Sequence, residues 1–252
     1  MADRADIEAG GGRPPPADGE GGLMACHLEE VAPWGRSFEE YRDLFRLEDA
    51  DLERSILGVG DGPASFNAEL TRRGGTVVSA DPLYRFPPTA IRRRIDRARP
   101  GIEAELMANL EGYSWDYHGS VGDLIEARRA AMDAFLEDLE GGEHSGRYVA
   151  AELPRLPFAD GAFDLALISH LLFSYSGRLS PAFHLQAAGE AARVAREVRI
   201  FPLLGLEGLP ALDVAPVWEW LEGQGWTVTV EEVAYELQPG GNRMLRARFT
   251  PA

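Results

Sequence analysis

Apolar positions along this chain repeat with two different periods, and the switches between them mark out the elements. Ile56, Leu57 and Val59 form a short apolar run that fits a buried strand, and residues 76–80, 163–168 and 197–201 read the same way. Residues 148–151 predict a further, shorter strand. The stretches between have helical character. Ser37 with Glu40 three positions on is a capping-box start, and Phe38, Tyr41, Leu44 and Phe45 then fall on one helical face. Residues 47–52 add another turn. Residues 64–72 follow the first strand and stop at Gly74-Gly75. Residues 121–140 form a long amphipathic helix carrying Leu124, Ile125, Ala131, Phe135 and Leu139, ended by Gly141-Gly142. Residues 183–195 and 214–223 predict two more helices, the second with Pro216 in its first turn, where proline is tolerated. Residues 226–233 and 244–249 alternate with period two around Pro239-Gly240-Gly241-Asn242, a hairpin signal that makes the last two strands antiparallel neighbours.

Strands alternating with helices and then a hairpin predict an α/β, doubly wound sheet, mostly parallel, with one reversed strand. The spacing is interrupted once. About sixty residues separate Asp81 from the next strand, far more than a crossover needs. Within them, residues 89–99 read as a basic helix with Arg92, Arg93, Arg94, Arg97 and Arg99, and residues 102–110 as another. The expected organisation is a Gly/Pro-rich acidic tail over residues 1–22 that cannot bury enough apolar area to order, followed by one domain over 23–252. Residues 84–147 are a helical insertion in that domain, serving either acceptor recognition or simple cover for the sheet.

Charge narrows the partners. The formal net charge is -16, and all 25 basic residues are arginine. That balance argues against a broad phosphate-reading surface, so no nucleic-acid partner is expected. It fits either a high-salt habitat or a GC-rich genome. The single Cys26 excludes an internal disulfide and fits a reducing compartment. No apolar run reaches membrane-spanning length, and no basic-then-apolar leader opens the chain, so a cytoplasmic protein with no membrane partner is expected. No Cys, His and acid cluster has metal-ligand spacing, and no metal site is expected.

The chemistry concentrates in residues 55–84. Gly58, Gly60 and Gly62 alternate after the first strand, a helix follows, and Asp81 ends the second strand. Glycines let backbone pass close to a ligand, a helix start offers free N–H groups, and an acid at that strand end can accept from ribose hydroxyls. A dinucleotide fingerprint would require glycine where Pro63 stands. The pattern G-x-G-x-G instead resembles motif I of class I S-adenosylmethionine (SAM) dependent methyltransferases. In that family an acid stands two residues before the first glycine. Here Ile56 occupies the position, and Asp61 within the loop is the candidate substitute. A second block, residues 152–168, reads ELPRLPFADGAFDLALI and resembles the family's adenine-side acid and fourth-strand entry. From Trp34 onward the chain is similar to a group of bacterial methyltransferases that share strings such as GRSFEEY, GDGPASFNAE, DPLY and SHLLFSY.

The resemblance implies a seven-stranded Rossmann-like sheet with the reversed strand last and SAM as cofactor, leaving S-adenosylhomocysteine as product. It implies that Gly58, Gly60, Asp61, Gly62, Asp81, Pro82, Glu152, Leu153 and Ser169 line the cofactor. His170 follows the fourth strand, beside the methyl group, either as general base or as a histidine packed under the cofactor. Tyr175 and the Tyr117-His118 pair are further lining candidates. Arg36 and Tyr41 either reach the SAM carboxylate or belong to a helix start. The expected acceptor is a small molecule. A non-catalytic SAM- or nucleoside-binding protein is the alternative. A nicotinamide-dependent oxidoreductase is a lesser one, disfavoured by Pro63 and the adenine-side block.

Overall fold

The computed structural model describes residues 33–141 and 146–249. The tail expected over residues 1–22, Cys26 and Gly142 lie outside them. Seven strands form one sheet: β1 (Ser55–Val59), β2 (Thr76–Ala80), β3 (Tyr148–Val149), β4 (Leu165–Ser169), β5 (Glu197–Phe201), β6 (Trp226–Glu232) and β7 (Arg243–Phe249). Their spatial order is β3-β2-β1-β4-β5-β7-β6. β7 runs antiparallel to both β5 and β6, and the other pairings are parallel. The fold is the one the motif resemblance implies. The order reverses between β1 and β4, which opens a crevice at the carboxyl ends of those strands.

The apolar runs are continuous because both faces of the sheet are covered. Ala166 and Ile168 of β4 pack with Val198 and Ile200 against α6 (Pro181–Val194) and α7 (Val214–Gly223). Leu165 and Leu167 point the other way, with Ile56 and Val77, onto α1 (Phe38–Leu44) and α3 (Phe66–Arg72). α1 starts as its sequence dictates: Ser37 Oγ accepts from the Glu40 N–H, and Glu40 returns a carboxylate oxygen to the Ser37 N–H. A short α2 (Asp49–Leu52) follows.

The insertion differs from expectation in one respect. The two helices expected over 89–99 and 102–110 are a single α4 (Pro88–Ala108) that runs through Pro100. Proline costs a hydrogen bond inside a helix. Ile91, Ile95 and Leu106 are all buried along α4, and the first two pack on Met132, Phe135, Leu136 and Leu139 of α5 (Val121–Glu140), so packing overrides the breaker. α5 has the expected bounds, and Gly141 caps it in a right-handed conformation. β3 is shorter than expected, ending at Val149. β4 begins two residues later than its apolar run, and Phe163 makes only an isolated bridge to Ala195.

Candidate active site

The glycine turn after β1 is held by backbone bonds. The Gly60 N–H donates to Ala80 O at 2.9 Å, and the Gly62 N–H to Asp81 Oδ2 at 2.8 Å. Gly60 has φ +71, and a Cβ there would stand 2.7 Å from Leu171 Cδ2, so glycine is required on both counts. Asp81 is buried. Its other oxygen accepts from the Leu83 N–H at 2.7 Å, capping the 3₁₀ turn Pro82–Arg85 that Pro82 opens. Burial pushes the Asp81 carboxyl up; the two N–H groups pull it back, and Glu152 pushes it up again. One amide on each oxygen leaves acceptor capacity for hydroxyl donors.

Asp61 folds back along β1. Ser79 Oγ donates to Oδ2 at 2.6 Å and Tyr41 Oη to Oδ1 at 2.7 Å. A Cβ on Gly58 would meet Asp61 Oδ2 at 1.9 Å. Gly58 is therefore needed for the neighbouring carboxylate, a reason within the loop itself. Burial pushes the Asp61 carboxyl up to about 6, against the two hydroxyls, with nearby Asp81 adding to the rise.

At the end of β4, Ser169 is buried and its hydroxyl lies 3.0 Å from His170 Nδ1. His170 has φ +50, a left-handed conformation that is strained for a residue with a Cβ and concentrates at functional positions. The ring stands edge-on to Phe201, with centroids 5.2 Å apart, and near Tyr235 at 6.4 Å. Burial, then Arg36 and Arg128, depress its pKa well below the usual histidine value, so the imidazole is neutral at pH 7.

Beyond His170 lies a cluster that periodicity alone does not reveal. Glu40 of α1 forms a buried ion pair with Arg128 of α5. Arg128 is fully buried and donates through Nη2 to Tyr235 Oη at 3.0 Å. His118 Nε2 lies 3.5 Å from Glu40 Oε1. Burial works against the ionised Glu40, but Arg128 prevails and holds its carboxyl below the usual range. A signal for Arg128 exists: it occupies the buried face of α5 between Leu124, Ala131 and Phe135, where an apolar residue is expected. The Tyr117 ring lies tilted against Tyr235, with centroids 4.7 Å apart, and its hydroxyl donates to Asp43 at 2.5 Å, so the Tyr117-His118 pair borders this cluster.

The remaining candidates are peripheral. Glu152 is exposed past the end of β3, 3.9 Å from Arg85, and Leu153 beside it is buried. Tyr175 is buried with Arg178 over its ring. Among the described residues no group of three or more His, Cys, Asp or Glu is placed to hold a metal, and no helix is long and apolar enough to cross a membrane.

Comparison with known proteins finds a relative by sequence and others by structure. No family model matches the chain. The uncharacterized protein MJ0045 of Methanocaldococcus jannaschii is 28% identical over 227 residues, which span 90% of this chain and 100% of that one. Magnesium protoporphyrin IX methyltransferase (ChlM) from Synechocystis PCC 6803, solved with bound SAM, aligns at TM-score 0.43 and 11% identity over 80% of this chain and 73% of that chain. A SAM dependent methyltransferase from Aquifex aeolicus aligns at TM-score 0.43 and 16% identity over 84% of this chain and 89% of its own. An O-methyltransferase family protein from Burkholderia thailandensis reaches TM-score 0.48 at 11% identity, covering 85% of this chain and 56% of that one.

Proposed function

We propose that this chain is a SAM-dependent methyltransferase acting on a small-molecule acceptor. The observation that carries the reading is a convergence. The glycine turn, Asp81, Glu152, Ser169 and His170 come from four separate stretches of sequence and meet at the carboxyl ends of β1 to β4, where the strand order reverses. Doubly wound sheets bind ligands at that point.

The residues suit such a cofactor. Asp81 keeps acceptor capacity for the two ribose hydroxyls, and exposed Glu152 stands on its outer side for the adenine amino group. Pro82 and Leu153 shape the walls next to those acids. Asp61 replaces the acid missing at Ile56, offering a carboxylate to the methionine ammonium. SAM supplies a methyl group already activated on a sulfonium. The protein's own work is then to align the acceptor and exclude water. A neutral His170, held by Ser169 and wedged beside Phe201, is a base able to take a proton from an acceptor hydroxyl or amine.

The mass of the ligand that co-purifies tests the reading, together with titration calorimetry against SAM, S-adenosylhomocysteine and reduced nicotinamide dinucleotide. Binding of the first two and not the third is expected. Dinucleotide binding alone would overturn the reading, and SAM binding with no turnover on any metabolite extract would leave a binding protein.

A further inference from the structure

Among the described residues, four buried side-chain polar atoms have no hydrogen-bond partner, and three of them belong to one cluster: Arg36 Nε, Arg128 Nε and His118 Nε2. Such groups are costly to leave unpaired and are rare in folded proteins. The cluster is also unbalanced in charge. Arg36 and Arg128 are both cations, and the one carboxylate among them, Glu40, is taken by Arg128. His118 and His170 are neutral at pH 7: burial and then the two arginines depress His170, and at His118 burial, with the arginines, outweighs the opposing pull of Glu40 and Asp123. The nearby acids are engaged elsewhere: Asp61 by Ser79 and Tyr41, and Asp43 by Tyr117. Arg36 is left with one bond, from Nη1 to the Trp34 carbonyl at 3.2 Å. It is half-buried, whereas Arg128 is sealed.

An arginine with four free donors, in a pocket carrying one excess positive charge, is a receptor for an acid. We propose that the methyl acceptor carries a carboxylate or phosphate group, and that Arg36 receives it with His118 and Arg128 behind. The proposal rests on the methyltransferase reading above and deepens it. Placement favours the acceptor over the methionine carboxylate of SAM. The acids that suit the nucleoside, Asp81 and Glu152, lie past β2 and β3. The cluster reaches the other side of His170 through Arg128, whose guanidinium bonds Tyr235 where that ring packs on Phe201 at the β5 side of the sheet, while the Arg36 backbone carbonyl accepts from the Ser65 N–H just after the glycine turn. An acceptor anchored at Arg36 would present its nucleophile toward His170, where the base is.

Two measurements decide this. In the first, wild type and Arg36→Met are titrated with S-adenosylhomocysteine and with 5′-methylthioadenosine, which lacks the amino-acid part. Affinity for both is expected to be unchanged. A tenfold or greater loss for S-adenosylhomocysteine alone would assign Arg36 to the methionine carboxylate and overturn the proposal. In the second, a metabolite extract is separated on an anion exchanger at pH 8 before incubation with protein and methyl-labelled SAM. Label is expected in products of the retained fractions, with KM raised about thirtyfold in Arg36→Met, a smaller change in kcat, and partial recovery in Arg36→Lys. Label only in flow-through fractions would overturn the proposal and leave methyl transfer standing. Label in no fraction, with S-adenosylhomocysteine still bound, would remove the transfer reading and this proposal with it. Melting curves of both variants separate a folding defect from a binding one.

Discussion

The carboxylate of Asp61 occupies the space that a side chain on Gly58 would need, with Oδ2 1.9 Å from the position of the missing Cβ. Two residues that sequence motifs treat as separate contributions to ligand binding thus form one packed unit. Gly58→Ala should push Asp61 off Ser79 and Tyr41 and cost about 3 kcal/mol, roughly 6–12 °C in melting temperature. Gly62→Ala, at φ +53 with nothing within 4 Å, should cost only about 1 kcal/mol. The double variant Gly58→Ala with Asp61→Gly should recover most of the Gly58 loss. Additive losses in that cycle would show that the two residues do not compete for the space.

Asp61 should also leave a mark on stability against pH. Its carboxyl titrates near 6 in the folded protein and near 3.8 when unfolded. The folded state therefore binds more protons between those values, and stability should fall as pH rises from about 4 to 6. The full difference is on the order of 3 kcal/mol. Asp61→Asn should flatten this part of the curve. Urea unfolding of both proteins at half-unit pH steps gives the comparison, and identical slopes would rule the shift out.

His170 has the opposite sign. Its folded pKa lies well below the unfolded value near 6.5, so its contribution to stability is complete above that value and is lost as pH falls through and below it. The same shift keeps the base unprotonated in mild acid. Turnover should therefore stay level between pH 8 and 6, where an ordinary histidine base would already lose activity. His170→Ala should lower kcat roughly a hundredfold while SAM still binds. Ring-proton NMR across the same range reads the pKa directly, and a midpoint near 6.5 would contradict the prediction.

Asp81 has a heavier structural role than its position at a strand end suggests. It holds the Gly62 and Leu83 amides, so Asp81→Ala should weaken SAM and S-adenosylhomocysteine alike by about a hundredfold and also lower the melting temperature by several degrees. Asp81→Asn keeps one acceptor oxygen and should fall between. Calorimetry with both ligands and a thermal melt of each variant check this, and wild-type affinity would rule out the ribose assignment.

The parts of this architecture that depend on local pattern were legible in the sequence. The capping box at Ser37, the strand ends at Ala80 and Phe201 and the bounds of α5 all follow from residues close in the chain. The turn from Gly58 to Gly62 and the acid at Asp81 pointed to the crevice for the same reason. What stayed hidden depends on distant partners. Pro100 reads as a stop, yet α4 continues because α5 lies alongside it. Arg128 reads as one arginine among several on an amphipathic helix, and only the fold brings Glu40, 88 residues away, and Tyr235, 107 residues away, to its guanidinium. The reason for Gly58 was likewise out of reach, because no spacing rule says that Asp61 bends back over it.

The bond between Glu40 and Arg128 also limits how far the helical segment can be treated as a module. Consecutive residues of α1 serve two masters: Tyr41 anchors the glycine turn through Asp61, and Glu40 anchors α5. Transplanting residues 84–147 from another protein, as one would exchange a specificity loop, removes the only cation bonded to Glu40 among the described residues. The stranded carboxylate would cost about 3–5 kcal/mol, next to the residue that shapes the cofactor end. A workable chimera must bring its own cation to that spot or replace Glu40 at the same time.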